Sequence, residues 1–183
     1  MKVVYEPVEA EFRELWGNFT KGVVNLYTMP KPTVFALSGQ SPAAGAILSL
    51  HSDYRVAAAN TKIGFNEAQL GIALPDWVLT NTERTVGAKH AARLLQQGNM
   101  MSVDEAVDVG FVDEVAADYP ALVKLAVEKA ATLGKTWTPA SALIKEKQTA
   151  AQASLFTKDS ETFMWTQFSG PMAQASFKKF LKK

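Results

Sequence analysis

The chain has 183 residues, of which 48% are hydrophobic and 20% are charged, a composition that fits a folded protein with a substantial core. Its formal net charge of +1 gives no overall field that would attract nucleic acid, so we expect no nucleic-acid partner. The absence of cysteine excludes disulfides, thiolate metal ligands and cysteine nucleophiles, and no apolar run approaches the ~20 residues that span a bilayer.

Hydrophobic periodicity and turn residues predict strands and helices in the first part of the chain and helices in the last part. A strand, a tight turn, a short buried helix and a second strand form a parallel crossover unit, so we predict the α/β class. The predicted strands are Thr33–Leu37, Val56–Ala58, Ile63–Phe65 and Phe111–Val115. The predicted helices are one from Val8 to Tyr27 with Pro7 in its first turn, a short one beginning at Ala44 or Gly45, several from Trp77 onward, one from Leu122 to Gly134, and further helices over 140–183. Among the helices from Trp77 onward, Gly98 is predicted as a C-cap and Ser102–Glu105 as a capping box.

The composition of these elements changes near Ala117, where we place a soft boundary between an α/β core at 1–117 and a helical segment at 118–183. Four lysines crowd the end of that segment, beside apolar residues at helical spacing. They are Lys178, Lys179, Lys182 and Lys183. A solvated helix end is the simpler interpretation of this cluster, and a local patch for an anionic ligand is the alternative.

Two features of the sequence are candidates for chemistry. Small residues at 43–45 open a helix, where unpaired N–H groups would meet an anion, although spacing alone favours close packing of helix on sheet. Glu67 follows a short apolar strand, and a lone carboxylate in an apolar cleft is a useful base, although most glutamates near turns are solvated. His51 and His90 fit core or capping positions, and their spacing indicates no metal site.

Several segments, taken in order, resemble the enoyl-CoA hydratase/isomerase superfamily, also called the crotonase superfamily. They are Lys31–Gly39, Pro42–Gly45, Asp53–Val56, Gly64–Ile72 and Glu105–Val115. The fourth contains Asn-Glu-x-Gln-Leu-Gly-Ile, which is similar to the catalytic segment of the mitochondrial isomerases of that family. Together the segments span most of the chain.

The resemblance implies a fold of stacked ββα turns followed by a helical segment that assembles the subunits as a homotrimer. It also implies an acyl-CoA thioester substrate, whose enolate oxygen is held by backbone N–H groups, with Ala44 and Gly45 at the helix opening. Glu67 is then the catalytic acid/base, and no cofactor or metal is required. The family's usual N-terminal strands, and the loop that carries its other oxyanion donor, have no counterpart in this sequence.

The resemblance also separates two activities. Hydratases of the family carry a second glutamate at the position of Ile47, because adding water needs two carboxylates. An apolar residue there implies an isomerase that converts 3-enoyl-CoA to 2-trans-enoyl-CoA in mitochondrial fatty acid β-oxidation, with Ile47, Leu70 and Trp77 in the acyl pocket. The alternatives are a non-catalytic homologue that acts in binding or assembly, and a hydratase.

Overall fold

The computed structural model describes residues 4–156 and 158–181, and it has the predicted mixed α/β architecture with a helical C-terminal part. The helices are α1 (Glu9–Tyr27), α2 (Ala44–Leu50), α3 (Asp76–Val86), α4 (Ala88–Gln97), α5 (Val103–Asp108), α6 (Tyr119–Thr136), α7 (Pro139–Ala153), α8 (Lys158–Ser169) and α9 (Pro171–Leu181). The strands are β1 (Val34–Leu37), β2 (Gln40–Pro42), β3 (Tyr54–Ala58), β4 (Lys62–Gly64), β5 (Met100–Ser102) and β6 (Glu114–Ala116), and a 3₁₀ turn covers Ala68–Leu70.

The strands form two small sheets, ordered β1-β3-β6 and β2-β4-β5. In the first sheet both pairings are parallel, with Ala36 opposite Val56 in the β1–β3 pair. In the second sheet, Ile63 of β4 lies opposite Ser41 of the parallel strand β2 and opposite Met101 of the antiparallel strand β5. The parallel β1–β3 pair, reached through β2 and α2, confirms the predicted crossover unit.

Apolar side chains from the helices and the sheets form the main core. Phe12, Phe65, Trp77 and Phe111 are all completely or almost completely buried there. A smaller cluster of Val56, Ala58, Ala116 and Leu122 joins α6 to the first sheet. Elements on both sides of residue 117 therefore pack together, and the division into 1–117 and 118–183 stays a prediction.

Two of the predicted elements begin at other residues in the structure. The strand predicted at Phe111–Val115 begins later in the structure, as β6 at Glu114–Ala116. Phe111 and Val112 stay at the end of α5, because their N–H groups bond to the carbonyl of Ala106 at 2.8 and 3.0 Å. Helix α1 begins at Glu9 after an extended N-cap at Val8, so Pro7 precedes the helix instead of lying in its first turn.

Two further ends differ from the prediction, since β4 ends before Phe65 and α6 continues past Gly134. Strand β2 is absent from the prediction, because its three residues are polar or proline. The predicted cap at Gly98 is confirmed by its left-handed φ of 65°, and the capping box is confirmed by reciprocal hydrogen bonds between Ser102 and Glu105.

A buried ammonium group ties α7 to the start of β1. The Nζ of Lys145 lies 2.6 Å from Oδ2 of Asp53 and 3.1 Å from the carbonyl oxygen of Lys31. The same Asp53 oxygen accepts hydrogen bonds from the N–H and hydroxyl of Thr33 at 2.7 and 2.8 Å. Through Asp53, the residue directly before β1 is therefore held to α7.

Candidate active site

An apolar cavity of about 260 Å³ lies between α1, α2 and α8. Among the described residues that line it, the only titratable side chain is Glu67. The other lining side chains are apolar and come mainly from three helices. They are Phe12, Leu15, Trp16 and Phe19 of α1, Ala44 and Ile47 of α2, and Met164 and Phe168 of α8, with Val4, Ala43 and Leu74 from the connecting segments.

Glu67 is held in place by the turn that follows β4. Its carbonyl oxygen accepts hydrogen bonds from the N–H groups of Leu70 and Ile72, at 2.9 and 3.0 Å. Gly71 closes this 3₁₀ turn with a left-handed φ of 76°, a conformation that suits glycine. The chain therefore reverses directly after Glu67, and the side chain projects from a rigid backbone.

The carboxyl group of Glu67 is removed from water, and one of its two oxygens has no hydrogen-bond partner among the described residues. The residue is 4% exposed, and its Oε2 is a buried oxygen with no hydrogen bond among the described residues. Burial raises its pKa from 4.5 to about 7, against a smaller lowering from its own backbone N–H. Near neutral pH, both the acid and the carboxylate are thus populated, as a group that takes and returns a proton requires.

The opening of α2 supplies backbone N–H groups beside the same cavity. Ala43, the N-cap, has an unusual φ of 50° for a non-glycine residue, and its own N–H is bonded to the carbonyl of Gly64 at 3.0 Å. None of the hydrogen bonds found among the described residues uses the N–H of Ala44 or Gly45 as donor. Such N–H groups at a helix start are oriented to bind negative charge.

Ala44 and Gly45 differ in their surroundings. Ala44 lines the cavity, whereas a Cβ added to Gly45 would come within 3.3 Å of the Cβ of Ser41. The absence of a side chain at Gly45 therefore serves the close packing of α2 on β2. Of the two predicted oxyanion donors, Ala44 is the one whose residue faces the cavity.

The three residues predicted for the acyl pocket have three different placements. Ile47 lines the cavity, and Leu70 lines a separate surface pocket together with Asn66 and Lys179. Trp77 is fully buried in the core, stacked on Phe156 with ring centroids 4.3 Å apart, and it does not line the cavity. Its indole N–H has a hydrogen-bond acceptor in the core, so Trp77 needs no contact with water to satisfy this group.

That acceptor is the hydroxyl of Ser160 on α8. It lies 3.3 Å from Nε1 of Trp77 and 3.5 Å from Nε1 of Trp16. Further along α8, Oε1 of Gln167 accepts the N–H of Ala73 at 3.0 Å. Helix α8 is thus bonded to the cavity wall on α1 and to the chain segment that follows Glu67.

The histidines lie away from the cavity. His51 is buried at the end of α2, where its Nδ1 lies 2.7 Å from the carbonyl oxygen of Ile47, and burial lowers its pKa to about 4. His90 is exposed on α4. The lysines Lys178 and Lys179 lie in the exposed last turn of α9, and Lys182 and Lys183 fall outside the described residues.

Sequence reasoning missed most of the cavity wall. Phe12, Trp16, Met164 and Phe168 belong to the apolar faces of α1 and α8, and that periodicity marks burial without showing that the two faces leave a space between them. A hydrophobic face that packs tightly and one that lines a cavity have the same sequence pattern.

Within residues 4–156 and 158–181, no group of three or more His, Cys, Asp or Glu side chains is placed to hold a metal ion. Over the same ranges, none of the helices combines the length and the hydrophobicity needed to cross a membrane.

Comparison with known proteins adds independent information about this fold. A family model described as "Enoyl-CoA hydratase/isomerase" matches residues 1–183. The chain is 43% identical over 111 residues to "Enoyl-CoA delta isomerase 1, mitochondrial" of Mus musculus, a match that covers 60% of this chain and 38% of that protein. The Homo sapiens protein of the same name is 39% identical over 108 residues, 58% of this chain and 33% of that protein. The chain thus spans well under half of these relatives in sequence.

Solved structures resemble the chain over a larger share. The crystal structure of human mitochondrial delta3-delta2-enoyl-CoA isomerase matches 99% of this chain and 72% of that chain, with a TM-score of 0.90 and 28% identity. An enoyl-CoA hydratase from Bacillus halodurans matches 93% of this chain and 69% of that chain, with a TM-score of 0.80 and 20% identity, a likeness of fold alone.

Proposed function

The chain belongs to the enoyl-CoA hydratase/isomerase, or crotonase, family, and we propose that it is an isomerase that converts 3-enoyl-CoA to 2-trans-enoyl-CoA. The observation that carries this proposal is the cavity lining, in which, of the residues that the structure describes, only Glu67 has a carboxyl group and the others are apolar, with the opening of α2 beside it. The matching isomerases, which this chain covers only in part, support the same reaction class.

In the first proposed step, the carboxylate of Glu67 removes a proton from C2 of the substrate. The electron pair of the C2–H bond forms a C1–C2 double bond, and the negative charge moves to the thioester oxygen. In this proposal the N–H of Ala44 donates to that oxygen, and the position of Ala44 in the cavity lining at the start of α2 supports this role. The apolar surroundings strengthen this contact, because little water competes for the charge.

In the second step, the carboxylic acid of Glu67 returns the proton to C4. The electron pair of the C3–C4 double bond forms the new C4–H bond, the C1–C2 pair moves between C2 and C3, and the thioester carbonyl is restored. One carboxyl group is enough, because the proton that leaves C2 is the proton that arrives at C4. A pKa of about 7 for Glu67 suits both directions of transfer near neutral pH.

Ile47 weighs against a hydratase. It lines the cavity on α2 with an apolar side chain. Apart from Glu67, the described lining residues therefore include no carboxylate that could activate water. The buried carboxyl of Glu67 weighs against a purely structural homologue, because an isolated buried acid destabilises a fold at neutral pH and is retained where chemistry needs it.

Assembly and location complete the proposal. We propose a homotrimer, supported by exposed apolar side chains such as Val123, Val127, Leu143 and Ile144 on α6 and α7, which an interface would bury. The expected size in solution is three times the 19.9 kDa of one chain, and a monomer by light scattering would contradict it. The names of the matching relatives support a mitochondrial location.

The test is turnover of a 3-enoyl-CoA to its 2-trans isomer by the unmodified chain, by Glu67→Gln and by Glu83→Gln. We expect loss of the base to lower kcat by at least ~10²-fold, the usual effect of removing general acid–base catalysis. Glu83 is exposed on α3 and outside the cavity lining, so Glu83→Gln controls for the loss of one surface charge. Equal rates for Glu67→Gln and the unmodified chain, or no turnover by any of the three, would reject the mechanism.

A further inference from the structure

The cavity has a covered back and an open rim. Met164 and Phe12 are each 1% exposed, and Trp16 is 8% exposed, so the wall that these side chains form is shielded from solvent. Leu15, on the same helix as Phe12 and Trp16, is 46% exposed and marks the rim. The structure around the cavity therefore covers Phe12, Trp16 and Met164, whereas Leu15 is open to solvent.

Aromatic contacts brace this wall. The ring of Phe168 lies 5.1 Å from that of Phe12 and 6.3 Å from that of Trp16, measured between centroids. Phe168 also stacks on Phe177 of α9 at 5.8 Å, and the hydroxyl of Ser160 anchors the indole of Trp16. Moving the wall aside would break these contacts together, which makes it a firm limit instead of a yielding surface.

The volume sets how much chain fits in front of that wall. A dry protein cavity of about 150 Å³ binds benzene, which corresponds to roughly 25 Å³ for each carbon. On that scale, the 260 Å³ in this protein accommodates roughly ten carbons. Among the described residues that line the cavity, all side chains apart from that of Glu67 are apolar, as an alkyl chain requires.

Resting on the proposed function, we propose that the acyl group of the substrate is of medium length, with an optimum near ten carbons, and that Met164 and Phe168 set the upper limit. The thioester carbonyl would lie by Ala44, and the methyl end would meet the wall formed by α1 and α8. Chains longer than the cavity would have to displace that wall or leave methylene groups in water.

The test measures binding of saturated acyl-CoAs of six to sixteen carbons by titration calorimetry, so that it does not depend on turnover. Each added methylene should lower Kd by up to about fourfold while it enters the apolar cavity, and this gain should end near ten carbons. The sixteen-carbon chain should bind more weakly than the ten-carbon chain. A flat series, or one that still tightens at sixteen carbons, would overturn the inference.

Variants of the wall make the assignment specific to residues. Met164→Ala removes three heavy atoms, space for roughly three carbons, and should move the optimum to twelve to fourteen carbons. Met164 is buried, so its replacement also affects the stability of the fold. Phe168→Leu, at a half-buried position, is a milder enlargement of the cavity that should shift the optimum in the same direction. Phe163→Leu is the matched control, because Phe163 lies on α8 next to Met164 but is 37% exposed and outside the lining.

The outcomes separate the two proposals. A length optimum that moves with Met164→Ala or Phe168→Leu, and stays in place with Phe163→Leu, supports the inference even if no isomerisation is detected. Efficient isomerisation with the same chain-length profile in all four proteins would leave the proposed function standing and reject the assigned wall.

Discussion

Replacing Glu67 by glutamine should remove catalysis and, at the same time, make the protein more stable. The carboxyl oxygen Oε2 is buried without a partner, so ionisation of Glu67 in the folded protein is opposed by lost hydration. Glutamine has nearly the same shape and carries no charge at any pH. The stability gained should therefore depend on pH in the way that the ionisation of Glu67 does.

The pKa of Glu67 fixes the size and sign of this effect. Folding raises that pKa from 4.5 to about 7, so the unfolded chain releases its proton first as pH rises. The associated stability is fully present below pH 4.5, falls between pH 4.5 and 7, and is gone above that range. At 1.36 kcal/mol for each pKa unit, the burial of Glu67 costs about 3 kcal/mol at pH 8 and about 1 kcal/mol at pH 5.

Denaturant unfolding of the unmodified chain and of Glu67→Gln at pH 5 and pH 8 measures this directly. The glutamine variant should be more stable by about 3 kcal/mol at pH 8, a rise in Tm of about 6–12 °C for a domain of this size. Because His51 is present in both proteins, its titration cancels in the difference. Equal stability at pH 8, or a gain that is larger at pH 5, would refute the burial of the Glu67 carboxyl group with an unpartnered Oε2. Glu83→Gln serves as the exposed control.

Two other buried groups give further predictions. Folding lowers the pKa of His51 from 6.5 to about 4, so its contribution to stability is present above pH 6.5 and falls by about 3 kcal/mol as pH drops to 4. In denaturant unfolding at a series of pH values, His51→Gln should reduce this loss of stability. An unchanged pH dependence would contradict the prediction. Lys145→Met removes the ammonium group that Asp53 and the carbonyl of Lys31 share, and should lower the free energy of unfolding by about 2 kcal/mol, whereas the exposed Lys124→Met should lower it by less than about 0.5 kcal/mol.

The sequence predicted those parts of the fold that local patterns determine. The crossover from β1 to β3 follows from two apolar runs around a short helix, and the cap at Gly98 and the box at Ser102 follow from single residues with strong preferences. Strand β2 was missed, because its residues gain their ladder bonds from β4 and have no strand pattern of their own.

The candidate site divides in the same way. A family resemblance carried by short contiguous segments predicts Glu67 and Ala44 as site residues, and both line the cavity. The same resemblance predicts Trp77 in the pocket, whereas Trp77 lies in the core. The partner of its indole is Ser160, 83 residues later in the chain. A contact over that distance depends on where α8 packs, and no local pattern near Trp77 reports it.

The attachment of α8 by Ser160 and Gln167 also bears on how proteins with this architecture diversify. The residue proposed to transfer the proton is encoded before position 70, together with the α1 part of the cavity wall, whereas Met164 and Phe168 of that wall are encoded after position 160. Exchanging the two stretches between homologues would recombine them as separate genetic modules. Selection could then retune ligand choice in one stretch while the reaction, inherited with the other, stays the same.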